Sequence, residues 1–107
     1  MTTLEILRAA RELISDPAKW TKGAYARDRN GEPLYAGFCA GAICWCAFGA
    51  IEKYAPRPSQ RCAAIEALNK SSDSWPPSVN DKEGHAAVIS LYDRAIALAE
   101  QEEAAKC

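Results

Sequence analysis

Only one residue in this sequence titrates near neutral pH in its ordinary state: His85 is the single histidine among 107 residues. Any histidine-dependent acid–base chemistry is therefore confined to one position. There is also no surplus of charge. The 13 Lys and Arg stand against 14 Asp and Glu, a formal net charge of −1, so nothing draws the chain as a whole toward nucleic acid or an anionic membrane. No apolar run is long enough to span a bilayer. No export signal is expected, because Met1-Thr2-Thr3-Leu4-Glu5 leads straight into an amphipathic pattern containing acids. Phosphate loop, dinucleotide fingerprint and zinc-protease motif are missing, and no repeat recurs at a solenoid period. The five cysteines, Cys39, Cys44, Cys46, Cys62 and Cys107, include no C-x-x-C pair. An odd count inside apolar runs, without an export signal, predicts reduced thiols in a cytoplasmic protein.

What is present reads as one soluble globular domain, residues 1–107, with 49% hydrophobic and 25% charged residues. From Cys39 to Ile51 there is no charged or hydroxylated side chain. A stretch apolar on every side predicts a helix buried on all faces, from about Gly41 to Tyr54, with the other segments packed around it. Before it, Thr2 and Glu5 form a capping-box pattern ahead of Leu4, Leu7, Ala10, Leu13 and Ile14 at helical spacing. Pro17 ends that helix, and Asp16 caps a short turn carrying Trp20 inward. Residues 23–36 read as a β-hairpin turning at Asn30-Gly31 in a type I′ turn, with Pro33 on an edge strand. After Pro56 and Pro58, Ser59 is expected to cap a third helix reaching about Asn69, with Cys62, Ala64, Ile65 and Leu68 inward. Asn80, with Glu83 three residues on, is expected to cap the last helix. Residues 101–107 are expected to fray, since Glu100, Glu102 and Glu103 oppose the helix dipole. The expected fold is mainly α: a single domain of about four helices around a buried central one, with a short β-hairpin inserted before it.

Three blocks taken together, Trp20–Asp28, Cys44–Ala50, and Asn80-Asp81 with Leu91–Ile96, resemble a family of small uncharacterised proteins of bacteria and their phages. The resemblance runs from the first helix to Ala99. It implies that hairpin, central helix and last helix form one unit, and it brings no assigned activity.

Several groups invite chemistry. Cys39, Cys44, Cys46 and His85 suggest a metal, but Cys44 and Cys46 lie two apart on the expected helix and do not face one another. The plainer reading is that they are small buried hydrophobes. A cysteine nucleophile with His85 as base requires an exposed, electropositive thiolate, and Cys44 and Cys46 lie in the least polar stretch of the chain. Asp28, Asp81, Glu83 and Asp93 have no spacing that requires an acid–base pair. No catalytic residue, metal or cofactor is assigned. Trp20, Lys22, Tyr25, Arg27 and Asp28 are the candidate binding surface, because aromatics and arginine together are enriched at interface hot spots and a hairpin edge can accept a strand. The alternative is that Trp20 and Tyr25 pin the hairpin to the core while Lys22 and Arg27 face water. Trp75, isolated in a polar loop, is either a lid or part of a contact patch, and Asn80 and Asp81 complete the candidate set. The expected function is a non-enzymatic interaction protein contacting another protein or a second copy of itself, as a homodimer, with no nucleic acid or membrane partner. A small-ligand pocket near Trp20, Trp45, Asn80 and Asp81 is the alternative, and a cysteine-dependent enzyme or redox protein is the second alternative.

Overall fold

A computed structural model describes residues 1–106. Helix α1 (Thr3–Ile14) begins at the expected capping box, with the Thr2 hydroxyl accepting from the Glu5 N–H and the Glu5 carboxylate accepting from the Thr2 N–H. The Thr2 N–H first, and the Thr2 hydroxyl after it, hold the Glu5 carboxyl below its usual range. Leu4, Ile6, Leu7, Ala10 and Ile14 form its buried face. Asp16 accepts from Ala18 N–H and starts a single tight turn, Pro17–Lys19, that delivers Trp20 to the interior.

The hairpin is short. Strand β1 (Ala26–Arg27) pairs antiparallel with β2 (Pro33–Leu34), in the register Ala26 to Leu34 and Arg27 to Pro33. The expected two-residue type I′ turn is not the one formed. Gly31, at φ +81°, is the loop's one left-handed residue, and Asn30 is not left-handed. The loop is therefore the three-residue kind, a turn closed by Gly31 N–H to Asp28 O followed by a bulge at the glycine. Asp28 selects it, because its Oδ1 accepts from both Asn30 and Glu32 N–H.

The long central helix is corrected. Cys44–Trp45 is instead a third strand, β3, which pairs antiparallel with β1 to give the order β2-β1-β3. Helix α2 spans only Ala47–Tyr54. A uniformly apolar run has no period to separate strand from helix. A two-strand ribbon is marginal in water, so the open edge of β1 recruits the first half of the run. Gly41, at φ +89°, turns the chain into it. Cys46 is the cap of α2, its Sγ accepting from Gly49 N–H at 3.3 Å. Ala47 through Ile51 are all buried.

Helix α3 (Pro58–Ser71) starts on Pro58 at its first position rather than on a Ser59 cap, and Cys62 is exposed rather than inward. Asn80 does not cap the last helix either. A one-turn helix α4 (Pro76–Ser78) widens into a π-turn, Val79–Glu83, which closes with Gly84 N–H to Val79 O and breaks at Gly84, φ +94°. Helix α5 (His85–Lys106) follows. It continues past residue 101, where the sequence predicts a frayed tail. Alanines favour its last turns, and Arg8 bridges Glu100 at 2.7 Å. The remaining tail residue, Cys107, lies outside the described residues. Helices α1, α2, α3 and α5 bury one shared core, to which α5 gives Val88, Leu91, Tyr92 and Ala95 and the others give Leu7, Ile14, Ile51 and Leu68. Mainly helical with a small antiparallel sheet is the observed class. Among the described residues no helix is long and apolar enough to cross a membrane.

Candidate functional site

The π-turn carries the polar centre of the molecule. Asn80 is 0% exposed and fully used. Its Oδ1 accepts from Trp20 Nε1 at 2.8 Å and from Ala47 N–H at 3.0 Å, and its Nδ2 donates to Thr21 O and Asp81 Oδ1, each at 3.0 Å. Asp81 Oδ1 also accepts from Gly23 N–H at 3.0 Å. These two adjacent side chains thus hold the Trp20–Gly23 segment and the first turn of α2. Tyr92 completes the clasp by donating its hydroxyl to Ala47 O, and its burial raises that phenol well above the usual range.

This geometry sorts the expected binding residues. Trp20 is half-buried, bonded to Asn80 and edge-on to His85. Arg27 is half-buried, and its guanidinium is engaged by the chain. Nε donates to Thr21 Oγ1, Nη1 to Gly31 O and Nη2 to Lys22 O, so the guanidinium clips the hairpin to the preceding loop. Asp28 fixes its own turn through Oδ1 and does not line the cleft beside Tyr25 and Trp75. Strand addition also has little room. Proline opens the outer strand β2, and the other edge is covered where Trp20 bridges Trp45 and Thr21 N–H donates to Trp45 O.

Lys22, Tyr25, Trp75 and Asp81 remain outside. Tyr25 (46% exposed) and Trp75 (63%) stand at a cleft of about 220 Å³. Gly23 and Ala24 line it beside Tyr25, Pro77 lies beside Trp75, and Asn80, Asp81 and Cys46 complete it. Buried Asn80 and Cys46 form the floor, and the exposed rings form the rim. Phe48 supports Trp75 edge-on at 6.1 Å. The cleft includes Asn80 and Asp81, as expected for a pocket there, but Trp20 and Trp45 do not line it. Trp45 is buried, its Nε1 donating to Gly37 O. Sequence reasoning missed Cys46, Gly23, Ala24 and Pro77. The one available signal was Trp75-Pro76-Pro77, a rigid aromatic presentation five residues before Asn80. A second groove of about 440 Å³ lies between the start of α1, α3 and the end of α5, lined by Leu4, Leu98, short side chains and charged ones, with no aromatic.

Nucleophilic chemistry finds no support at Cys46. Burial pushes its thiol up to about 11, outweighing the N–H groups of Gly49 and Phe48, and the carboxylates of Glu52 and Asp81 add to the rise. His85 gives its Nε2 proton to Ile14 O at 2.6 Å, tying the start of α5 to the end of α1. Among the described residues no three His, Cys, Asp or Glu side chains gather where they could hold a metal ion. Native alkylation at pH 8 followed by peptide mass mapping is expected to label exposed Cys62 and spare Cys46, whose thiolate fraction is roughly one in a thousand there. Labelling of Cys46 at the rate of Cys62 would contradict the closed floor.

A family model described as a family of unknown function (DUF6197) matches residues 1–98. No curated protein and no solved structure matches the chain.

Proposed function

We propose that the chain, which belongs to the DUF6197 family of unknown function, is a non-enzymatic binding protein that takes one side chain of a partner protein into the Tyr25–Trp75 cleft. The observation that carries this reading is the cleft itself: two exposed aromatic rims over a floor held still by Asn80 and Asp81. Its size decides between the two binding alternatives. Small-molecule pockets run from about 300 to 1,000 Å³, and about 220 Å³ suits a single anchoring side chain better than a whole ligand. Exposed, pre-positioned Tyr and Trp are the residue types that dominate protein contacts. The protonated, buried Cys46 thiol favours a non-enzymatic role. A bacterial or phage origin, carried by the resemblance, and a reducing cytoplasmic compartment, carried by the unpaired thiols, belong to the same reading.

Display of random heptapeptides tests it, selecting on the native protein with counter-selection on a Tyr25→Ala/Trp75→Ala double variant. Neither ring is part of the buried core, so the variant is expected to melt within a few degrees of the parent. A consensus with one fixed anchor residue is expected, binding the double variant at least tenfold more weakly. No consensus, or one that ignores the double substitution, would defeat the proposal. If the partner is a second copy, sedimentation will show a dimer that the double variant cannot form.

A further inference from the structure

We infer that the side chain the cleft takes is a cation, the lysine ammonium or arginine guanidinium of the partner protein. This rests on the binding reading above and names its chemistry. Two features converge. First, the rim is made of Tyr25 and Trp75, whose ring faces attract a positive charge. Second, the one ionised group in the lining is Asp81, and only half of it is used. Oδ1 accepts from Gly23 N–H and Asn80 Nδ2, while among the described residues no hydrogen bond reaches Oδ2. A carboxylate fixed through one oxygen and open through the other is a ready partner for an N–H⁺ donor.

The nearby cations leave this charge unanswered. Arg27 spends its guanidinium on Thr21, Lys22 and Gly31, and neither Lys22 nor Lys82 lines the cleft. The floor itself feels a negative field: after burial and against its N–H contacts, the Cys46 thiol is pushed further up by Glu52 and Asp81. Glu52 does not line the cleft, which leaves Asp81 as the carboxylate presented to a ligand. The exposed Tyr35–Phe38 pair elsewhere on the molecule already has a cation over it, Arg61 on Phe38 at 5.8 Å, and lines neither the cleft nor the larger groove.

Three four-carbon probes test the inference: n-butylammonium, 1-butanol and butyrate, at constant ionic strength, followed through the Trp75 indole N–H and Gly23 amide resonances of labelled protein. Butylammonium should give a saturable shift at millimolar concentration, with butanol at least fivefold weaker and butyrate without effect. Asp81→Asn keeps the Oδ1 acceptor and should reduce butylammonium to the level of butanol. Equal response to butanol and butylammonium, or preference for butyrate, would overturn the inference, and the three-probe comparison on the native protein decides even if the variant folds poorly. A display consensus anchored by an apolar or acidic residue would likewise remove the cation while leaving the binding proposal standing.

Discussion

Asn80→Ala is expected to cost about 3–4 kcal/mol and to lower the melting temperature by roughly 12–16 °C. The side chain is fully buried, and its removal strands three groups at once: Trp20 Nε1, Ala47 N–H and Thr21 O. A buried donor or acceptor left without a partner costs about 1–3 kcal/mol. Ala47 N–H carries the high end of that range because it is closed off at the start of α2, whereas half-buried Trp20 can recover water. Asn80→Asp separates charge from shape. The new carboxyl keeps the two bonds that Oδ1 accepts, but it turns an oxygen toward Thr21 O and Asp81 Oδ1 where Nδ2 used to donate. Buried beside a carboxylate, it has a folded-state pKa above its unfolded value of about 3.9. Its protonated form can still donate, so the variant is nearest to the parent below that unfolded value. Stability is then lost as pH rises through the raised folded value, and the gap from the parent is expected to be wider at pH 7 than at pH 4. Urea titrations of both proteins at the two pH values measure this. A gap independent of pH would mean that the polar clasp is not what Asn80 supplies.

What could be read in the chain divides by range. The capping box of α1 and the Asp16 turn were legible because each is complete within a few residues. The place of the hairpin was legible from Asn30-Gly31, but not its turn type, which Asp28 selects by accepting from two backbone N–H groups. The apolar run 39–51 reads as one helix but is strand and then helix, because composition without period cannot distinguish the two. Its division depends on β1, some eighteen residues upstream in the chain, as well as on the turn at Gly41 and the Cys46 cap within the run. Asn80 shows the same limit more sharply. Asn-x-x-Glu is a valid local start signal, yet this asparagine serves residues 33, 59 and 60 positions away. Arg27 reads as surface charge in the sequence, because its three acceptors cannot be seen there. Tyr25 and Trp75 were each singled out, but their meeting at one cleft follows only once Asn80 and Asp81 fasten the loop at 21–23 to the π-turn.

Gly49→Ala is expected to cost about 3 kcal/mol net, although alanine is the better helix former by about 1 kcal/mol. A Cβ at Gly49 would lie 1.8 Å from Tyr25 O, and one at Gly37 would lie 1.8 Å from Gly49 O. Three backbones are therefore stacked with no side chain between them: the strand entry at Tyr25, the first turn of α2, and the loop at Gly37. None can give way singly. Tyr25 O is bonded to Cys46 N–H, while Gly37 is held through its N–H by Glu52 and through its carbonyl by Trp45 Nε1. The added methyl must push the hairpin off the helix, and Tyr25 moves with it, so the variant should also weaken binding at the cleft. Gly31→Ala is the contrast, since it meets no atom within 4 Å and bears only the strain of φ +81°, about 1–2 kcal/mol. Thermal melts of the two variants side by side are expected to place Gly49→Ala some 4–8 °C below Gly31→Ala. The reverse order would mean that this close approach of backbones does not hold the sheet to α2.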